Sequence, residues 1–125
     1  PFIALAALQE KVISPQTIVQ SPGVYMFGRR PYHDHQRGGH GNINVIEAIE
    51  RSANVFFFKM GVALGVDKMH AYASALGLGA KTGIDLKREV AGTVPSSEWK
   101  KATIGEEWQP GENLSTAIGQ GFVVV

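Results

Sequence analysis

The chain contains no cysteine, which excludes disulfides, cysteine-ligated zinc and thiol catalysis. The compartment stays open, because periplasmic and cytosolic proteins can both lack the residue. An excess of one charge is missing as well. Twelve basic side chains face eleven acidic ones, for a net charge of +1, and nothing in that balance favours nucleic acid or an acidic membrane surface. Long apolar runs are absent too: no segment reaches the roughly 18–20 residues needed to span a bilayer. The opening stretch Pro1–Leu8 is apolar but short, with no basic residues before it, and does not read as a signal peptide. What remains is ordinary for a globular protein, with 125 residues, 44% hydrophobic and 18% charged. That supports one domain with a modest core.

Residues 2–11, largely apolar and ending with Gln9, Glu10 and Lys11, read as a helix, and Pro15 closes that region because the residue before proline avoids the helical basin. Residues 20–42 are punctuated by Pro22-Gly23, Gly28, Pro31, Gly38, Gly39 and Gly41 and read as irregular, with a short strand over 24–27. A second helix is predicted from Asn44, with Glu47 completing a capping-box pair. The stretch Val55–Leu64 is apolar on nearly every face, as in a helix packed on several sides. Met69, Tyr72, Ala73 and Leu76 give residues 66–76 an amphipathic period, with Asp67 in the first turn and Gly77 as the stop. A last short helix starts near Ser96 or Ser97. The one candidate for a central strand is the Val-rich stretch Phe122–Val125, and both ends read as cut inside apolar patterns rather than at polar boundaries.

The triplet Ser52-Ala53-Asn54 lies between the capped helix and the all-apolar one. Alone it means little, since a serine between helices is ordinarily an N-cap. Its surroundings carry more. The run Asn44–Phe57 resembles the second active-site motif of penicillin-binding proteins. Gly79-Ala80-Lys81-Thr82-Gly83-Ile84-Asp85-Leu86 resembles a later landmark of the same family. Pro95 with Glu98-Trp99-Lys100, then Pro110–Asn113, then Ala117–Gly121 follow in the family's order. Upstream, Pro1–Ala4 resembles the residues just after the Ser-x-x-Lys motif. Gly39-His40-Gly41 before Asn44-Val45 is most like the elongation subgroup, penicillin-binding protein 2.

The resemblance implies an α+β fold, here mainly its helical part. Residues 1–125 read as a partial transpeptidase domain, running from just after Ser-x-x-Lys to before Lys-Thr-Gly. It implies a peptidoglycan D,D-transpeptidase that cross-links D-Ala-D-Ala stem peptides through a serine acyl-enzyme and is a target of β-lactams. Acyl transfer needs a nucleophile, a base, a proton route to the leaving amine and oxyanion donors. By resemblance Ser52 relays the proton and Asn54 helps hold the peptide. No cofactor is implied. The parent is expected on the periplasmic side of the cytoplasmic membrane, held by an N-terminal anchor and working with cell-wall elongation proteins. Apolar faces left without neighbours would allow the truncated form to pair as a homodimer. The rival reading is an autonomous helical binding module with no catalytic role.

Two further matches imitate a complete active site. Ser97-Glu98-Trp99-Lys100 fits Ser-x-x-Lys, and Lys81-Thr82-Gly83 fits Lys-Thr-Gly. Their order along the chain is wrong, and both are read as false, the first as a capped helix start with solvated charges. Tyr32-His33-Asp34-His35 with His40 offers imidazoles and a carboxylate, but Arg29, Arg30 and Arg37 flank it, and His33 and His35 would diverge on an extended segment. Solvated loop histidines, and no metal, are the expectation. His70 is read as a surface residue beside Lys68, Trp99 and Trp108 as packing residues, and residues 86–92 as a solvated loop.

Overall fold

A computed structural model describes residues 1–125. Helix α1 (Phe2–Gln9) buries Ala4, Ala6 and Ala7, whose small side chains let it lie close to two later helices. Two short antiparallel ribbons follow. Strand β1 (Val19–Ser21) pairs with β4 (Gly41–Ile43), and β2 (Val24–Phe27) pairs with β3 (Arg30–His33) in between. The strand over 24–27 is as expected; the other three occupy a stretch that reads as irregular. They are only three or four residues long, too short for alternation to register, and proline and glycine interrupt them.

Helix α2 (Val45–Glu50) begins on the predicted capping box. The Asn44 side chain accepts from the Glu47 N–H at 3.0 Å, and Glu47 accepts from the Asn44 N–H at 3.0 Å. Helix α3 (Asn54–Leu64) is the hub. Val55, Phe56, Phe58, Met60, Gly61 and Leu64 are buried on it, facing α1, the β1 strand and the later helices. Full burial of a side chain such as Val55 or Phe56 contributes about 1.5–3 kcal/mol. Helix α4 (Val66–Ala75) buries Val66, Met69 and Ala73, while Leu76, just past its end, is half exposed.

Helix α5 (Ser97–Thr103) starts from Ser96, whose hydroxyl accepts from the Trp99 N–H. Helix α6 (Glu112–Ala117) has no counterpart in the sequence expectations. It packs on α3 so closely that a Cβ on Gly61 would lie 2.6 Å from the Ala117 Cβ and 2.7 Å from the Asn113 carbonyl oxygen. The Val-rich end is not a strand here: Val124 forms an isolated antiparallel bridge with Thr93, the two residues exchanging both backbone hydrogen bonds and no further pair following. Both tryptophans pack, with ring centroids 5.5 Å and 6.3 Å from Phe122.

Candidate active site

The Ser52-Ala53-Asn54 triplet is the joint between α2 and α3, and its shape follows from how α2 ends. The Ser52 N–H donates to the Ile49 carbonyl at 3.2 Å, and the Ala53 N–H donates to the Ala48 carbonyl at 2.9 Å. This pair of bonds is the Schellman closure, which requires a left-handed residue just beyond the helix cap. That residue is Ser52, with φ +53°. Helix α4 ends with the same two bonds around Gly77, at φ +91°, the usual choice because glycine has no Cβ to clash.

The capping role expected for a lone serine is not what Ser52 plays. The C-cap of α2 is Arg51, and the N-cap of α3 is Ala53, which has no side chain able to accept a hydrogen bond. Ser52 is exposed and lines a cleft of ≈ 330 Å³ together with Asn54. The cleft is largely apolar, bounded by α1, α2, α3 and the end of α6. Ser52, Asn54 and Thr116 are its polar side chains. A mostly apolar recess with a few convergent polar groups is how proteins orient a peptide-sized ligand. On its other side Asn54 borders a polar concavity of ≈ 350 Å³ lined by Arg30, His33, His35, Ser115 and Gln120.

One orphan donor of α3, the Val55 N–H, is satisfied from a distance. Asp34, just after β3, accepts from the Val55 N–H through Oδ2 at 3.1 Å. Its Oδ1 accepts from the Gln36 N–H at 3.0 Å and lies 3.2 Å from His40 Nε2 and 3.1 Å from His35 Nδ1. The Asp34 side chain is wholly buried and that of His40 is 8% exposed. Burial by itself raises the Asp34 pKa. The two backbone N–H bonds and the neighbouring His40 outweigh it and hold the carboxyl below the ordinary aspartate value.

The loop histidines therefore differ from the solvated group expected. His40 is enclosed against Asp34, His35 reaches the same carboxylate while half exposed, and only His33, on β3, stays out. Asp34, His35 and His40 are the one trio whose potential metal-ligating atoms converge, within 4.8 Å of one another. Zinc there would need its fourth ligand from solvent. The Asp34 role was invisible in the sequence because a cap made 21 residues away leaves no local spacing to read.

The two imitation motifs are occupied otherwise. The Ser97 hydroxyl donates to the Asp67 carboxylate at 2.7–2.8 Å, and its N–H donates to the same group at 2.9 Å. The hydrogen bonds from Ser97, backbone first, lower the Asp67 pKa. Lys100, expected from sequence to be a solvated charge, is instead buried. Its Nζ contacts both Glu112 oxygens at 2.7 and 2.9 Å and donates to the Glu107 carbonyl at 3.1 Å. A serine bound to one carboxylate and a lysine bound to another cannot act as nucleophile and base for each other. Lys81-Thr82-Gly83 is a loop, with Thr82 donating to Glu89 through both N–H and hydroxyl. His70 is likewise no free surface group: its Nδ1 lies 2.8 Å from the Val94 carbonyl.

The family model for the penicillin binding protein transpeptidase domain matches residues 1–124. The chain belongs to this family. Among curated relatives of this transpeptidase family, the peptidoglycan D,D-transpeptidase MrdA of Escherichia coli strain K12 is 34% identical over 98% of the chain. MrdA of Salmonella typhimurium strain SL1344 is 38% identical over the same share. The chain spans about a fifth of the length of each, 20%. The structure of Pseudomonas aeruginosa PBP2 in complex with WCK 5153 superposes with a TM-score of 0.93 at 37% identity, covering 100% of this chain and 29% of that one. Helicobacter pylori PBP2 in complex with MreC gives 0.93 at 34% identity, covering 98% and 23%. The α+β transpeptidase fold and the likeness to penicillin-binding protein 2 are thus as the sequence motifs implied.

Proposed function

We propose that the whole protein is a peptidoglycan D,D-transpeptidase, and that Ser52 and Asn54 form one wall of its active site. The observation that carries this reading is the Ser52 hydroxyl: it caps neither helix, and a left-handed turn presents it to an apolar cleft that Asn54 shares. In the reaction, a serine outside residues 1–125 attacks the carbonyl of the penultimate D-alanine. The C–N bond breaks, the terminal D-alanine leaves as an amine, and an amine of a neighbouring strand then displaces the serine from the ester. Each leaving or attacking nitrogen exchanges a proton, and Ser52 relays it between the lysine base and that nitrogen. Asn54 holds the peptide backbone in line for attack. β-Lactams enter the same path and stop at the acyl-enzyme.

The relatives' names support a role in peptidoglycan cross-linking, and the Helicobacter pylori complex supports an MreC-type partner. A place at the periplasmic face of the membrane, where the stem peptides are joined, is part of the same proposal. Apolar side chains exposed on residues 1–125, such as Phe2, Leu5 and Ile49, leave a homodimer of this segment alone open to measurement by sedimentation. Intact-mass measurement after incubation with penicillin tests the central reading. The whole protein should gain one β-lactam per chain, slowly or not at all when Ser52 is alanine. Residues 1–125 alone should gain none. A stable adduct on Ser97 would show that the wrong serine had been assigned.

A further inference from the structure

Helix α3 must hold Asn54, and through Ala53 also Ser52, at a fixed place on the cleft wall. Its first turn has no local cap, since Ala53 cannot accept a hydrogen bond. The only side chain bonded to that turn is Asp34, whose Oδ2 accepts from the Val55 N–H at 3.1 Å in a buried site. The other Asp34 oxygen is fixed by the Gln36 N–H, His35 and His40. Its carboxylate thus links the segment after β3 to the residue following Asn54. Negative charge is favourable at a helix N-terminus, and a buried N–H left without a partner is costly.

We infer that Asp34 is a positioning residue for the Ser-x-Asn motif, acting through the Val55 N–H, with His40 holding the carboxylate in place. The inference rests on the reading of Ser52 and Asn54 as an active-site wall. It goes beyond that reading by assigning a function to a residue that touches neither substrate nor nucleophile. Asp34 restrains where the pair lies, and a displacement of about 1 Å at a reacting site costs on the order of 10²-fold in rate.

The experiment uses the whole protein and measures the rate constant of β-lactam acylation separately from the noncovalent affinity that precedes it, with the melting temperature of each sample. Ser52→Ala is the control on the underlying reading. If it acylates at the normal rate, that reading fails and the inference falls with it. With Ser52→Ala slow, Asp34→Ala should cut the acylation rate constant by about 10–100-fold, with noncovalent affinity changed less than threefold. Asp34→Asn, which keeps an oxygen able to accept from Val55, should recover most of the rate. His40→Gln should fall between the two. Should Asp34→Ala not fold, Asp34→Glu keeps the charge but lengthens the arm by one methylene, and at least a tenfold slower rate is expected. An Asp34→Ala or Asp34→Glu protein that acylates like the parent would overturn the inference while leaving Ser52 in place. So would a chelator-induced loss of rate restored by zinc, which would make the group at Asp34 a metal ligand set rather than a cap.

Discussion

Ser52 and Ser97 both stand at the mouth of a helix inside a motif associated with acyl transfer, yet they are opposites. Ser97 has its hydroxyl and its N–H tied to one carboxylate, and the lysine three residues on is buried against another. Ser52 caps nothing, is exposed, and faces a cleft. The stretch with the better-looking nucleophile-and-base pattern is structural, and the stretch with the plainer pattern has the free hydroxyl. A spacing of residues identifies chemistry only when the side chains are free to perform it.

The largest expected effect separates the two serines directly. In the whole protein, Ser52→Ala should slow β-lactam acylation by about 10²–10⁴-fold, the scale of losing a positioned acid–base group. Its melting temperature should hardly move, since alanine meets the same left-handed backbone. Ser97→Ala should leave acylation unchanged and lower stability by about 1–2 kcal/mol, for lost hydrogen bonds to a charged group. Thermal melts and acylation kinetics on the same samples check both. A Ser97 variant that loses acylation while still folded would erase the contrast.

Next comes Lys100. Its replacement by alanine leaves Glu112 without its cationic partner, with only the Gln109 N–H still donating to it, and should destabilise by about 2–4 kcal/mol, read by denaturant unfolding. The acylation rate of the molecules that remain folded should not change, which sharpens the view that this lysine is not a base. A third test uses acid. Asp67 and Asp34 are both held below the ordinary aspartate pKa, so each adds stability that is present above about pH 4 and is lost as pH falls through its lower folded value. Asp67→Asn should therefore be less stable than the parent at neutral pH, with the gap closing below about pH 4. A gap that stayed constant through the acid range would mean the Ser97–Asp67 contact is not formed in solution. The smallest effect is at the far end of α2. Asn44→Ala removes one side of the capping box and should cost about 1 kcal/mol, with acylation little altered because the Schellman closure at Ser52 is retained.

Much of this was legible in the residues, and the exceptions share a cause. The Asn44–Glu47 box, the all-apolar α3, the period of α4 and the glycine stop at Gly77 are local patterns, and they appear as local patterns predict. The order of landmarks identified the family without the fold. The features that could not be read are made by partners distant in the chain. Asp34 caps a helix 21 residues on, Lys100 is buried by a glutamate 12 residues away, and His70 meets a carbonyl 24 residues away. The other three ribbon strands were missed because strands of three or four residues carry no usable period, and α6 because a six-residue helix after Pro110-Gly111 resembles a turn.

The left-handed turn at Ser52 has one more consequence. Gly77 closes α4 with the same pair of bonds, so the backbone at 52 is one that glycine would occupy with less strain, by roughly 1–2 kcal/mol. A chain under pressure only to fold would drift to glycine there. Selecting a library at position 52 for heat resistance should enrich Ser52→Gly, while selecting for β-lactam acylation should eliminate it. The two survivors' lists would then disagree at this position for a reason visible in one dihedral angle: the fold tolerates the serine, and the proposed proton relay needs its hydroxyl.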